Sequence, residues 1–145
     1  MEELFQLRML IEQGHYDEAL TLIGEMEEMS RDDKINKITS FLDILLLHLI
    51  KKHTEKRSTR SWEASIQNAA DMIRRANKRR KTGCLYLTSA ELSEAIDESW
   101  ETALRKASLE AFEGRFDEAE LASEIDKDKI KNEALTLLIS GNLNA

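Results

Sequence analysis

The chain is 145 residues long, with no proline, one cysteine, 34% charged residues and a net charge of −7. That length supports one domain with its own core and no metal or disulfide staple. The lone Cys84 excludes an internal disulfide, and the most apolar stretch, Ile44–Ile50, is far too short to cross a bilayer.

Apolar residues recur at helical spacing along most of the sequence. A first helix is predicted over Glu2–Gln13 and ends at Gly14. Asp17 and Glu18 open a second, reaching about Met29, since early acids suit the positive end of a helix dipole. Ser30 with Asp33 resembles a capping box, so a third helix is predicted over Arg31–His53. Its apolar residues surround it completely from Ile44 to Ile50, which places it inside the fold. Further helices are predicted over Ser61–Arg80, capped by Ser61 and stopped by Gly83, and over Thr88–Phe112, capped by the Thr88–Glu91 box and stopped by Gly114. A last helix is predicted over Lys127–Ser140 and closed by Gly141. The acidic stretch Asp117–Asp128 reads as solvated surface. Gly14-His15-Tyr16-Asp17-Glu18-Ala19 is echoed by Gly114-Arg115-Phe116-Asp117-Glu118-Ala119, one turn chemistry used twice. The fold class is therefore all-α, a compact single-domain bundle of five or six helices around the 31–53 helix.

Charge is segregated. Residues 51–81 hold 11 of the 21 Lys and Arg and only Glu55, Glu63 and Asp71, a local charge of +8, so the rest of the chain carries −15. The surface cations are Lys51, Lys52, Arg57, Arg74, Arg75, Lys78, Arg79 and Arg80. They invite a nucleic-acid reading. No aromatic interleaves the 74–81 run, however, and the acids Glu91, Glu94, Asp97, Glu98 and Glu101 open the next helix, where a hairpin would bring them alongside. Internal compensation is the favoured reading.

His48 is the most pointed single residue. It sits in an apolar run, and a buried imidazole needs a partner. Glu25 and Glu28, on a helix folding back alongside, are the expected carboxylates. Such a pair can hold a metal or move a proton; the plainer and favoured reading is a satisfied core histidine. Arg60-Ser61-Trp62 likewise reads either as a phosphate- or base-reading patch or, preferably, as a cap followed by a core anchor. Cys84 has no His or carboxylate near it in sequence, and no CxxC, Walker loop, GxGxxG, HExxH or GxSxG occurs.

Three pieces in order, Glu25-Met26-Glu27-Glu28-Met29-Ser30, Leu46-Leu47-His48-Leu49-Ile50-Lys51 and Arg60-Ser61-Trp62-Glu63-Ala64-Ser65-Ile66, resemble the helical bacterial family catalogued as domain of unknown function twenty-nine, abundant in cyanobacteria. The resemblance covers about residues 1–75 and implies an all-α fold with no established activity. Beyond it, Lys81–Leu87 stands where the family would place a proline-containing corner. The expected role is a non-catalytic cytoplasmic interaction or adaptor protein, with a protein partner, no cofactor, no bound metal and no membrane contact; a homo-oligomer stays open. The alternative is a nucleic-acid-associated regulator using the 51–81 surface, and a third reading is a metal or acid–base enzyme centred on His48.

Overall fold

The structure, a computed structural model, describes residues 2–78 and 85–140. Arg79, Arg80, Lys81, Gly83, Cys84 and Gly141, and the sequence expectations attached to them, lie outside those residues. Six α-helices follow one another: α1 (Glu2–Glu12), α2 (Tyr16–Glu55), α3 (Arg60–Asn77), α4 (Ser89–Glu110), α5 (Glu118–Ser123) and α6 (Lys127–Ser140), with a 3₁₀ turn over Ala111–Gly114 between α4 and α5. The expected all-helical bundle is what forms, and no helix among the described residues is long and apolar enough to cross a membrane.

The largest departure is at the centre. The two helices expected at 17–29 and 31–53 are a single helix of 40 residues, with Ser30 in its interior and no cap there. Its length is about 60 Å at 1.5 Å per residue. A capping box marks where a helix can start. No proline or turn breaks Met29-Ser30-Arg31, Ser and Asp cost only tenths of a kcal/mol inside a helix, and helix propagation is cooperative, so the helix runs through. It ends at Lys56, whose φ of +54° turns the chain left-handed.

One stripe of α2 makes the core. Ile38, Leu42, Leu45, Leu46, Leu49 and Ile50 are fully buried, and α3 and α4 pack over them. Alanines on both, Ala69 and Ala70 of α3 and Ala103 and Ala107 of α4, are buried too, and small side chains let helix axes come close. Helix α6 closes the remaining side with buried Ile130, Ala134 and Leu138. The short α5 was not foreseen: within the stretch expected to be solvated surface, Asp117 and Glu120 form a complete capping box and Leu121 is fully buried. Among the described residues, the buried Thr54 Oγ1 has no hydrogen-bond partner. An unsatisfied buried donor costs about 1–3 kcal/mol, so Thr54→Val is expected to raise the urea midpoint.

The α4 start is as expected. Thr88 Oγ1 accepts from the Glu91 N–H at 3.2 Å, and the Glu91 carboxylate accepts from the Thr88 N–H at 3.2 Å. Thr88→Ala is expected to cost about 0.5–2 kcal/mol in thermal melts. The cap of α3 is Thr59 rather than Ser61: its Oγ1 accepts from the Trp62 N–H at 3.0 Å. Ser58, Thr59 and Ser61 all offer the same chemistry. The choice follows from Glu63, whose carboxylate accepts from Ser58 Oγ at 2.6 Å and pins the chain just ahead of Thr59. At the far end of α3, buried Asn77 mimics a strand. Its amide Nδ2 donates to the Leu87 carbonyl at 3.0 Å, and its Oδ1 accepts from the Leu87 N–H at 2.7 Å. An antiparallel bridge between Lys78 and Leu85 lies beside it.

Candidate functional site

The His48 site does not assemble. His48 is only half-buried, and its Nδ1 bonds the Ile44 carbonyl of its own helix at 2.8 Å. Glu25 and Glu28 sit on the same continuous helix, 23 and 20 residues away by number. At 1.5 Å per residue that is about 30–35 Å. The join of α2 across Ser30 is the reason: no antiparallel neighbour carries those carboxylates back. A His–carboxylate pair does exist elsewhere, between His53 Nε2 and Glu133 Oε2 of α6 at 2.7 Å. It supplies two groups, and among the described residues no three or more His, Cys, Asp or Glu are placed to share a metal.

The expected compensation of the basic window by the 91–101 acids of α4 does not form among the described residues, and the window's own ion pairs leave its net charge unchanged. All three of its acids pair inside it: Glu63 with Lys52 at 2.9 Å, Glu55 with Arg57 at 3.1 Å, and Asp71 with Arg74. Arg74 also donates to the Leu137 carbonyl of α6 at 2.6 Å. The α4 acids look elsewhere. Asp97 takes Lys131 at 2.8 Å and Lys127 at 3.8 Å, both on α6, and Glu91 lies 3.6 Å from Arg31. The Lys131 hydrogen bond holds the Asp97 carboxyl below its ordinary range; the Ser58 hydroxyl, with Lys52, does the same for Glu63. Both carboxylates therefore support the fold at neutral pH, and that support fades as pH falls through their lowered pKa values. Lys56, Arg60, Arg75 and Lys78 form no ion pair among the described residues. Arg60 and Arg75 stand about 22 Å apart along α3, so these cations make two separate ends and no continuous phosphate track.

Trp62 is where the window gathers structure. The α2 C-cap and the Thr59 N-cap fold the chain so that Lys51 Nζ and Arg57 Cζ each lie 4.8 Å from the Trp62 ring centroid, a stacking that desolvated cations favour. Around them opens a cleft of about 410 Å³, lined also by Glu55, Glu110, Phe112, Glu113 and Arg115. Among the described residues, the three non-glycine residues with positive φ, Lys56, Phe112 and Glu113, all sit on or beside this cleft. Strained backbone of that kind persists where surrounding structure enforces it. Gly114 completes the turn at φ +78°, and a Cβ there would sit 3.1 Å from the Leu109 carbonyl oxygen. Gly114→Ala is expected to destabilise by about 1–3 kcal/mol in urea titrations. Gly14, its echo, shares the φ of +78° and closes α1, with the His15 N–H donating to the Leu10 carbonyl at 2.8 Å, a Schellman-type return. The cleft holds three cations and three carboxylates. It is electrically balanced, with Glu55 paired to Arg57 at 3.1 Å and Glu110 3.9 Å from Lys51, and it holds no nucleophile–base pair.

The least satisfied surface is at the other end of α2. No residue of α1 is buried, although Leu4, Phe5, Leu7, Met9, Leu10 and Ile11 are apolar. Leu4 is 54% exposed, Ile11 47%, Tyr16 64% and Leu20 67%. Along α2 the stripe that carries Ile38, Leu42, Leu45 and Leu49 continues backwards through Arg31, Glu27, Gly24 and Leu20 at the same 3–4-residue spacing. There it is uncovered. Gly24, Glu27, Glu28, Ser30 and Arg31 instead line an open groove with Tyr86. A Cβ on Gly24 would meet nothing within 4 Å.

The family model described as domain of unknown function DUF29 matches residues 9–133. The chain belongs to the DUF29 family. No curated protein and no solved structure matches it. The three sequence pieces that resemble the DUF29 family fall on separate parts of the molecule. Glu25–Ser30 lies along the Gly24 groove, Leu46–Lys51 runs from the core to the Trp62 cleft, and Arg60–Ile66 places Trp62 itself. Of the residues proposed from sequence, the cleft brings together Trp62, Lys51 and Arg57. Arg60, His48 and Glu25 lie outside it, and Glu28 lines the groove instead. Glu110, Phe112, Glu113 and Arg115 were missed; the repeated glycine turn at Gly114 was the signal that could have found them.

Proposed function

We propose that this DUF29 chain is a non-catalytic cytoplasmic interaction protein whose docking element is the α1–α2 hairpin. The observation that carries the reading is the uncovered apolar face of that hairpin, with Leu4, Ile11, Tyr16 and Leu20 about half or more exposed. Isolated apolar side chains on a surface need no explanation, but a contiguous set marks an interaction site. Phe5 and Met9 of α1 and Met29 of α2 are also exposed on this hairpin, whereas Ile44, Leu109 and Ile139 are scattered over the rest of the fold. The single cysteine and the lack of a disulfide framework fit a reducing compartment.

Affinity capture from lysate of the source cells tests this. The wild-type chain is compared with Tyr16→Ser/Leu20→Ser, a pair chosen because exposed positions leave folding intact. A protein partner held by the wild type and lost by the variant is expected. An identical captured set from both would refute the hairpin as docking element. Salt-sensitive DNA binding by the wild type at about 150 mM salt, where exposed charges are already screened, would replace the reading with the nucleic-acid one.

A further inference from the structure

The Trp62 cleft contains a cation without a firm partner. The Lys51 side chain is 12% exposed, and its nearest carboxylate, Glu110, stands 3.9 Å away. Among the described residues Lys51 Nζ makes no hydrogen bond, and its other neighbour is the Trp62 ring, 4.8 Å from Nζ to centroid. An ammonium carries three donors, and one largely withdrawn from water is unfavourable until they are matched. Lys51 is not sealed in, because it lines the open cleft of about 410 Å³. Arg115 lines the same cleft and forms no ion pair among the described residues, whereas Arg57 is bound to Glu55 at 3.1 Å. Lys51 and Arg115 are therefore the two cations of the cleft with donors to offer.

The backbone of one lip is unusual. Phe112, Glu113 and Gly114 are consecutive residues with φ of +48°, +59° and +78°. Left-handed backbone is unfavourable for Phe and Glu, and such residues cluster at binding sites, where the surroundings enforce them. The turn sets Phe112, which is 40% exposed, on the cleft with Trp62. Charge and size then choose the ligand. The lining cations and carboxylates cancel, so a polyanion would meet Glu110 and Glu113 with more charge than Lys51 and Arg115 can answer. A single carboxylate needs only those two cations. The volume falls within the range of about 300–1,000 Å³ usual for small-molecule pockets, and aromatic walls suit an apolar body.

We propose that the Trp62 cleft binds a small monocarboxylic acid with an aromatic or apolar body, its carboxylate on Lys51 and Arg115 and its body against Phe112 and Trp62. The site lies at the opposite end of α2 from the hairpin and does not depend on the hairpin being a docking element. Glu110 is its internal competitor, since it is the carboxylate that Lys51 faces when no acid is bound.

The test is calorimetric titration of the full chain with phenylacetate at about 150 mM salt, beside 2-phenylethanol, phenethylamine and inorganic phosphate. Phenylacetate is expected to bind with a Kd on the order of 1 mM or tighter, and about tenfold or more tightly than each of the other three. Lys51→Met keeps the apolar stem and removes the ammonium. It is expected to melt no lower than wild type, because it removes a poorly matched cation, while phenylacetate binding weakens about tenfold or more. Arg115→Gln, at an exposed position that leaves folding intact, is expected to weaken binding about three- to tenfold. Glu110→Gln is expected to tighten it about threefold or more, a gain that mere disturbance of the cleft would not produce. These two variants keep the test independent of how Lys51→Met folds. No binding of phenylacetate, equal binding of 2-phenylethanol, or tighter binding of phosphate would overturn the proposal. So would wild-type affinity in a folded Lys51→Met, or in Arg115→Gln and Glu110→Gln together.

Discussion

Leu45→Ala is expected to cost about 2–5 kcal/mol of stability, read as a fall in the urea midpoint with the slope unchanged. Leu45 is 0% exposed and sits among Leu42, Leu46, Leu49 and the α3 and α4 residues that cover them. Truncation removes three buried carbons and leaves a cavity that rigid helices on three sides cannot collapse into. The informative control lies on the same stripe of the same helix. Leu20, at 67% exposure, has the same side chain and the same helical neighbours in kind, yet Leu20→Ala is expected to change stability by no more than about 0.5 kcal/mol. One continuous stripe thus does two jobs, with the change between Arg31 and Ile38. A loss below about 1 kcal/mol at Leu45 would mean that the core lies elsewhere; a large loss at Leu20 would mean that the hairpin face is structural and unavailable to a partner.

That division of one helix was only partly legible in the sequence. Periodicity located α1, α3, α4 and α6 because each has an apolar stripe bounded by a glycine, a cap or a polar turn. It also identified Ile44–Ile50 as enclosed. What it misread was the junction at Ser30, because Ser-x-x-Asp carries local capping chemistry whether or not the chain turns there, and only the packing of the flanking segments decides. The error then propagated. Placing Glu25 and Glu28 on a separate helix brought them near His48, and the unbroken α2 moves them tens of ångströms away. Trp62 and its two cations were visible, since Lys51, Arg57 and Trp62 are neighbours in sequence. Glu110, Phe112, Glu113 and Arg115 were not, since tertiary packing brings them there from about 50 residues on. The α5 capping box was overlooked because its helix is six residues long, too short to show a period. Asn77 was hidden among the cations of a basic run, where composition drew attention to charge and away from an uncharged polar side chain that is buried.

Asn77 carries the second large expectation. Asn77→Leu is expected to cost about 2–5 kcal/mol, because it leaves both the N–H and the carbonyl of Leu87 without partners, each at about 1–3 kcal/mol. Leu87 and Asn77 are both buried, at 6% and 4% exposure, so water does not readily take the place of the amide. The leucine side chain is close in size, so the loss is not one of volume. Asn77→Asp separates the two bonds. An ionised carboxylate still accepts from the Leu87 N–H but turns its second oxygen, lone pair outward, on the Leu87 carbonyl. Burial and that opposing oxygen favour the protonated form, so the folded-state pKa rises above its ordinary value near about 3.9. A raised carboxyl pKa destabilises the fold at pH values above the unfolded pKa, and the loss shrinks as pH falls. Urea titrations of Asn77→Asp at neutral and at acid pH, each referred to wild type at the same pH, are therefore expected to show the smaller deficit in acid. A deficit independent of pH, or an Asn77→Leu variant as stable as wild type, would show that the α3–α4 corner is held by the Lys78–Leu85 bridge and the Thr88 cap without help from the Asn77 amide.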